Sequence, residues 1–260
     1  MYMLEIVFSV IIPFIGTLLG AGLVFVVKGK MNANMQKAFS GFAAGVMIAA
    51  SVWSLIIPAF EVTSNMGKLS VIPVVVGLWL GFMFLMLLDK VIPHIHIDSG
   101  DVEGPSCNLK KSTMTVLAVA LHNLPEGIAV GVVLASATTG DALPISMAIA
   151  LAIGIAVQNF PEGAIISLPL ANCGVKKSKT FLLGVLSGIV EPIGALLTLL
   201  IASSIVPFLP YLLSFAAGAM IYVVIEELIP EMSEGKHSHI GTFCFAIGFS
   251  LMLILDVILG

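Results

Sequence analysis

Eight stretches of this chain are each apolar for about twenty residues, the length needed to cross the hydrocarbon core of a bilayer. They cover roughly 6–27, 38–60, 71–92, 113–137, 142–170, 180–202, 207–229 and 240–259. In hydrocarbon every backbone N–H and C=O must find its partner within the protein, so each stretch is expected to be a helix. The fold class read from the sequence is therefore an all-α integral membrane protein, with residues 1–260 forming a single transmembrane domain. Composition agrees, because 59% of the residues are hydrophobic and only 10% are charged. A soluble domain of this size could not cover so much apolar side chain. The first run is long enough to span, and no basic leader precedes it, so it reads as a retained helix and not as a cleaved signal.

Lysine placement sets an orientation. All 11 basic residues are lysines. Lys28, Lys30 and Lys37 fall in the first connection, Lys90, Lys110 and Lys111 in the third, Lys176, Lys177 and Lys179 in the fifth, and Lys236 in the seventh; only Lys68 lies in an even-numbered one. Positive charge stays on the cytoplasmic side, so odd connections are expected inside and both termini outside. The expected location is the cell (cytoplasmic) membrane. A net charge of −4 argues against a nucleic-acid partner. The three cysteines are scattered and suggest no disulfide framework.

Short segments recur at a distance. Phe42-Ala43-Ala44-Gly45-Val46-Met47-Ile48 in the second span returns as Phe215-Ala216-Ala217-Gly218-Ala219-Met220-Ile221 in the seventh. Gly81-Phe82 followed by an apolar run to Asp89 returns as Gly248-Phe249 followed by one to Asp256. The members of each pair cross the membrane in opposite senses, so helices 1–3 and 6–8 read as inverted repeats flanking helices 4–5. This 3+2+3 plan is a transporter pattern. Glycines four apart (16/20, 41/45, 77/81, 127/131 and 184/188) mark faces where helices can approach closely.

A second repetition carries chemistry. His122-Asn123-Leu124-Pro125-Glu126-Gly127 lies in the fourth span and Gln158-Asn159-Phe160-Pro161-Glu162-Gly163 in the fifth. A carboxylate at membrane depth costs about 2.5–3.5 kcal/mol even on insertion scales. Residues four apart share a helix face, so His122 with Glu126, and Gln158 with Glu162, point together, each with an asparagine alongside. Pro125 and Pro161 offer no N–H to the carbonyls of Leu121 and Val157, which then need other partners. Glu191, next to Pro192 in the sixth span, adds a third buried carboxylate. Three such groups repel one another unless a cation lies among them. Imidazole with carboxylates suits zinc, iron or manganese better than magnesium or calcium. Met47 would add a thioether.

These motifs resemble the ZIP (Zrt-, Irt-like) family of divalent-metal transporters, most closely its GufA-like bacterial branch. The resemblance covers essentially the whole chain and includes a histidine-bearing third connection, about 93–112. It implies uptake toward the cytoplasm of zinc foremost, with cadmium, iron and manganese as further cargo, through a binuclear site. It also implies alternating access, with helices 1, 4, 5 and 6 moving against 2, 3, 7 and 8, and a homodimer. Matched by motif, His122, Glu126, Gln158 and Glu162 form one metal position together with Met47. Asn123, Asn159 and Glu191 form the second, bridged by Glu126 and Glu162. Gln158, a weaker and neutral ligand, stands where many relatives have histidine, and Asn159 where some have aspartate.

Further candidates lie toward the two faces: Glu61 at the outer end of helix 2, Glu227 at the inner end of helix 7, and His94 and His96 in the third connection. The sequence has no phosphate-binding glycine loop and no paired-histidine zinc-protease motif. An enzyme is therefore not expected. A metal-selective channel or an intramembrane metalloenzyme are the alternatives to a carrier.

Overall fold

A computed structural model describes residues 3–27, 31–92, 94–95, 102–103, 111–139 and 143–260. Eight of its helices are long and apolar enough to cross a membrane. They are α1 (Met3–Val26), α2 (Ala33–Val62), α3 (Val71–Val91), α4 (Lys111–Thr138), α5 (Ile145–Asn172), α6 (Lys177–Leu200), α7 (Val206–Ser233) and α8 (Ile240–Leu259). The all-α class and the eight spans agree with the sequence. A two-residue antiparallel ribbon, β1 (His94–Ile95) with β2 (Val102–Glu103), sets His94 opposite Glu103 in the third connection.

Boundaries differ in places that matter. The helix α7 runs to Ser233 and not to about 229, so Glu231 joins Glu226 and Glu227 within the helix itself. The helix α6 is interrupted at Ile189, just before the Glu191-Pro192 pair. Both α2 and α7 contain a widened π turn, at Ala50–Ile56 and Val224–Leu228. Each is followed two residues later by a proline, Pro58 and Pro230, whose missing N–H and bulky ring disturb the preceding turn. At the start of α2, Asn32 caps the helix by accepting a hydrogen bond of 2.8 Å from the Met35 N–H.

Four side-by-side pairings organise the bundle: α1 lies along α5, α4 along α6, α2 along α8 and α3 along α7. Four of the five glycine steps lie at these contacts, and the fifth, 184/188 on α6, faces α1. A Cβ added to Gly45 would fall 2.1 Å from the carbonyl oxygen of Phe245, and one at Gly81 2.1 Å from that of Phe215. The repeat partners behave alike, since Gly218 meets the carbonyl of Leu78 at 2.2 Å and Gly248 that of Phe42 at 2.1 Å. Lipid supplies no hydrophobic drive between helices, so such backbone-to-backbone contact is what holds them together. The least enclosed spans are α3 and α8. The most enclosed are α4 and α5, with 72% of each central window buried against 11% for α8. The two hexapeptides are therefore carried on the helices best shielded from lipid.

Candidate metal centre

The final glycine of each hexapeptide explains how the site assembles. Gly127 lets the backbone of α6 approach at Glu191, where an added Cβ would lie 2.4 Å from the Glu191 carbonyl oxygen. Gly163 does the same for α1 at Thr17, at 2.3 Å. Four helices thereby converge at one level, and both Pro125 and Pro161 lie inside continuous helical runs.

His122, Asn123, Glu126, Gln158, Asn159, Glu162 and Glu191 are all buried there. The Gln158 amide donates to Glu126 Oε1, and through the same nitrogen to Asn159 Oδ1 at 3.3 Å. Glu191 Oε1 accepts from Thr17 Oγ1 and from Asn123 Nδ2, each at 3.0 Å, while Glu191 Oε2 accepts from Asn159 Nδ2 at 2.8 Å. Glu126 lies within electrostatic range of Glu162 and Glu191, and Glu162 within range of His122, Glu227 and Glu231. The imidazole Nε2 of His122 sits 2.5 Å from Glu227 Oε1.

Four side-chain oxygens in this group have no hydrogen-bond partner: Asn123 Oδ1, Glu126 Oε2, Gln158 Oε1 and Glu162 Oε2. Each is an acceptor, and a buried unmatched acceptor is costly unless something positive faces it. Among the described residues, no three His, Cys, Asp or Glu side chains converge closely enough to hold a metal by themselves. The acceptor set is mixed, with amide oxygens completing what the carboxylates begin.

Not every expected residue joins this group. Met47 is fully buried in the apolar core, and no hydrogen bond of the polar network reaches its side chain. Glu61 is exposed at the end of α2. His94 is described only as a strand backbone, and His96, Cys107 and Asp141 lie outside the described residues. Cys173 and Cys244 are free.

Several participants escaped the sequence reading. Thr17, the Pro13 carbonyl and the Ser187 carbonyl all belong to the network, since Asn159 Nδ2 reaches Pro13 O at 3.4 Å and Asn123 Nδ2 reaches Ser187 O at 3.2 Å. A hydroxyl or a carbonyl in an apolar helix leaves no pattern that marks it in advance. Toward the end of α7, Glu231 is buried and accepts from Gln36 Nε2 at 2.8 Å and Ser40 Oγ at 2.6 Å, fastening α7 to α2. Asp89 is likewise buried, and accepts from the Tyr222 hydroxyl at 2.6 Å.

Comparison with known proteins decides the family. A family profile described as ZIP Zinc transporter matches residues 99–256. The chain is 37% identical to the zinc transporter ZIPB of Bordetella bronchiseptica, over 95% of this chain and 79% of that protein. It is 35% identical to the zinc transporter GufA of Myxococcus xanthus (94% and 96%), and 32% identical to the zinc transporter ZIP11 of Xenopus tropicalis (94% of each). The chain belongs to the ZIP zinc transporter family. The family is one of transporters and not of enzymes. Membership rests on similarity along nearly the full length, so the hexapeptides of α4 and α5 lie within the shared region of this ZIP protein.

Proposed function

We propose that the chain, a member of the GufA-like branch, carries divalent transition-metal cations across the cell membrane toward the cytoplasm, zinc foremost. Cadmium, iron and manganese are further cargo. The observation that carries this reading is the set of four unpartnered oxygen acceptors on α4 and α5 at membrane depth. A cluster of unmatched acceptors among carboxylates attracts a cation and repels an anion. The relatives named as zinc transporters support zinc as the first candidate.

Within this reading, Glu126, Gln158 and Glu162 form the binding position, and His122 joins it when its bond to Glu227 opens. Met47 is a soft ligand that reaches the site only in another state of the carrier. Asn123, Asn159 and Glu191 adjoin it, where the resemblance implies a second metal position. Glu61 gathers cations at the outer mouth, Glu227 receives them on the inner side, and His94 and His96 collect them beyond it. Both termini face outward in this reading, which the lysine bias supports.

The pairings support alternating access between two helix groups, each of which contains members of both inverted repeats. One group comprises α1, α4, α5 and α6, the other α2, α3, α7 and α8. Under a two-fold exchange of helices 1–3 with 6–8, and of 4 with 5, each of the four pairings maps onto another. The matched glycine contacts and matched π turns support the same exchange. A homodimer, with lipid around it, completes the proposal.

Radioactive zinc uptake into proteoliposomes, competed by a series of metals at two pH values, tests it. Saturable uptake blocked by cadmium is the expected result. Current growing linearly with concentration would support the channel instead. Metal-dependent hydrolysis without flux would support a metalloenzyme.

A further inference from the structure

The two halves of the polar cluster differ in the kind of group they present. On the side of Glu126, Gln158 and Glu162, oxygens lack partners. On the side of Glu191, both carboxylate oxygens are already taken, by Thr17, Asn123 and Asn159. All three partners are neutral donors.

The orientation of both asparagines is fixed from outside the carboxylate. Asn123 Nδ2 also faces the Ser187 backbone carbonyl at 3.2 Å, and Asn159 Nδ2 the Pro13 carbonyl at 3.4 Å. A backbone carbonyl can only accept, so each amide must turn its N–H side that way. Reversing either one would set its oxygen against a carbonyl and a carboxylate together. Toward Glu191, then, both amides present N–H, while Asn123 Oδ1 stays among the unpartnered oxygens. A cation placed there would face N–H and O–H groups whose hydrogens carry positive partial charge. It would also lie close to the first dication, which repels it.

We infer that the centre holds one divalent cation, on the side of Glu126, Gln158 and Glu162, and that Glu191 is a positioning residue and not a ligand. This rests on the metal-carrier reading above, and narrows its two positions to one. Glu191 acts as the common fastening of four helices: its own α6, α1 through Thr17, α4 through Asn123 and α5 through Asn159. Those four helices make up the first packing group. Asn159 determines the count. An aspartate there would lack the N–H that closes Glu191 Oε2, and would add an acceptor and a negative charge.

The test is anomalous diffraction from crystals of the full-length protein soaked in cadmium. One peak per chain is expected in the cluster, beside Glu126 and Glu162, with none beside Glu191. In Asn159→Asp a second peak beside Glu191 is expected. A second peak beside Glu191 in the unaltered protein overturns the inference while leaving the carrier reading standing. A single peak in well-folded Asn159→Asp overturns the role given to Asn159. No peak beside Glu126 and Glu162 overturns both the inference and the reading beneath it. The peak count in the unaltered protein decides the matter even where the variant fails to fold.

Discussion

His122 Nε2 lies 2.5 Å from Glu227 Oε1, joining α4 of one helix group to α7 of the other. The carboxylate occupies a nitrogen that a transition metal would use, so metal and Glu227 compete for the same imidazole. A hydrogen bond to a charged group is worth about 1.5–3 kcal/mol. Glu227→Gln weakens the competitor, and is expected to tighten equilibrium metal binding by about tenfold while slowing turnover. Isothermal titration with cadmium, paired with uptake rates, checks this. Weaker binding in the variant would show that Glu227 holds the metal instead of the histidine.

Glu126 is fully buried, with one oxygen bonded to Gln158 and the other unpartnered. Removing it takes the central negative charge from the cluster. Glu126→Ala and His122→Ala are each expected to reduce zinc and cadmium uptake to background, with membrane insertion unchanged. Uptake by the purified variants in proteoliposomes, normalised to inserted protein, gives the answer. Normal transport in both would remove the site from α4 and α5.

Gln158 donates its nitrogen to Glu126 and leaves Oε1 without a partner. A neutral amide oxygen is a poor ligand for zinc compared with imidazole. Gln158→His is expected to tighten zinc binding by about tenfold, roughly 1.4 kcal/mol, and to sharpen preference over manganese. Competition of zinc by manganese and iron reads this directly. Equal affinities in variant and parent would mean that residue 158 does not touch the metal.

Acid should oppose binding. A metal must find its carboxylates and imidazole without protons, so protons and cargo compete for the same atoms. Lowering the pH from neutral is expected to raise the zinc concentration needed for half-maximal uptake, by up to about tenfold per unit for each proton displaced. Glu126→Gln, if it retains any binding, should flatten that dependence. A half-saturation constant indifferent to pH would mean that the cargo does not meet these groups.

Much of this architecture was legible because hydrocarbon is an unforgiving solvent. Span length depends on bulk transfer energy, which sums over many residues and survives local irregularity. Glu126, Glu162 and Glu191 stood out because a buried carboxylate needs a reason. Thr17 did not, since a threonine in an apolar helix is ordinary and only the approach of α1 at Gly163 gives it a partner. Asn159 was visible as a polar residue, but the direction of its amide depends on the Pro13 carbonyl across the helix contact. Glu231 and Asp89 lie near helix ends, where a charge is ordinarily solvated, whereas tertiary partners on α2 and α7 bury them. Pattern finds which residues matter, and packing decides which atom each one offers.

The glycine contacts give a structural prediction independent of metal. Gly81 on α3 lies against the backbone of α7, and its repeat counterpart Gly248 on α8 against that of α2. In both places an added Cβ would sit 2.1 Å from a carbonyl oxygen, Phe215 or Phe42, and a backbone cannot rotate away as a side chain does. The helices must separate, losing the close van der Waals contact that substitutes for hydrophobic drive in lipid. Overpacking of this kind costs about 1–3 kcal/mol. Gly81→Leu and Gly248→Leu are therefore each expected to lower the melting temperature in detergent by several degrees. Equivalent contacts should give equivalent losses, and the double variant should show roughly their sum because the two interfaces are distinct. A large loss in one variant with none in the other would break the correspondence between α3–α7 and α2–α8.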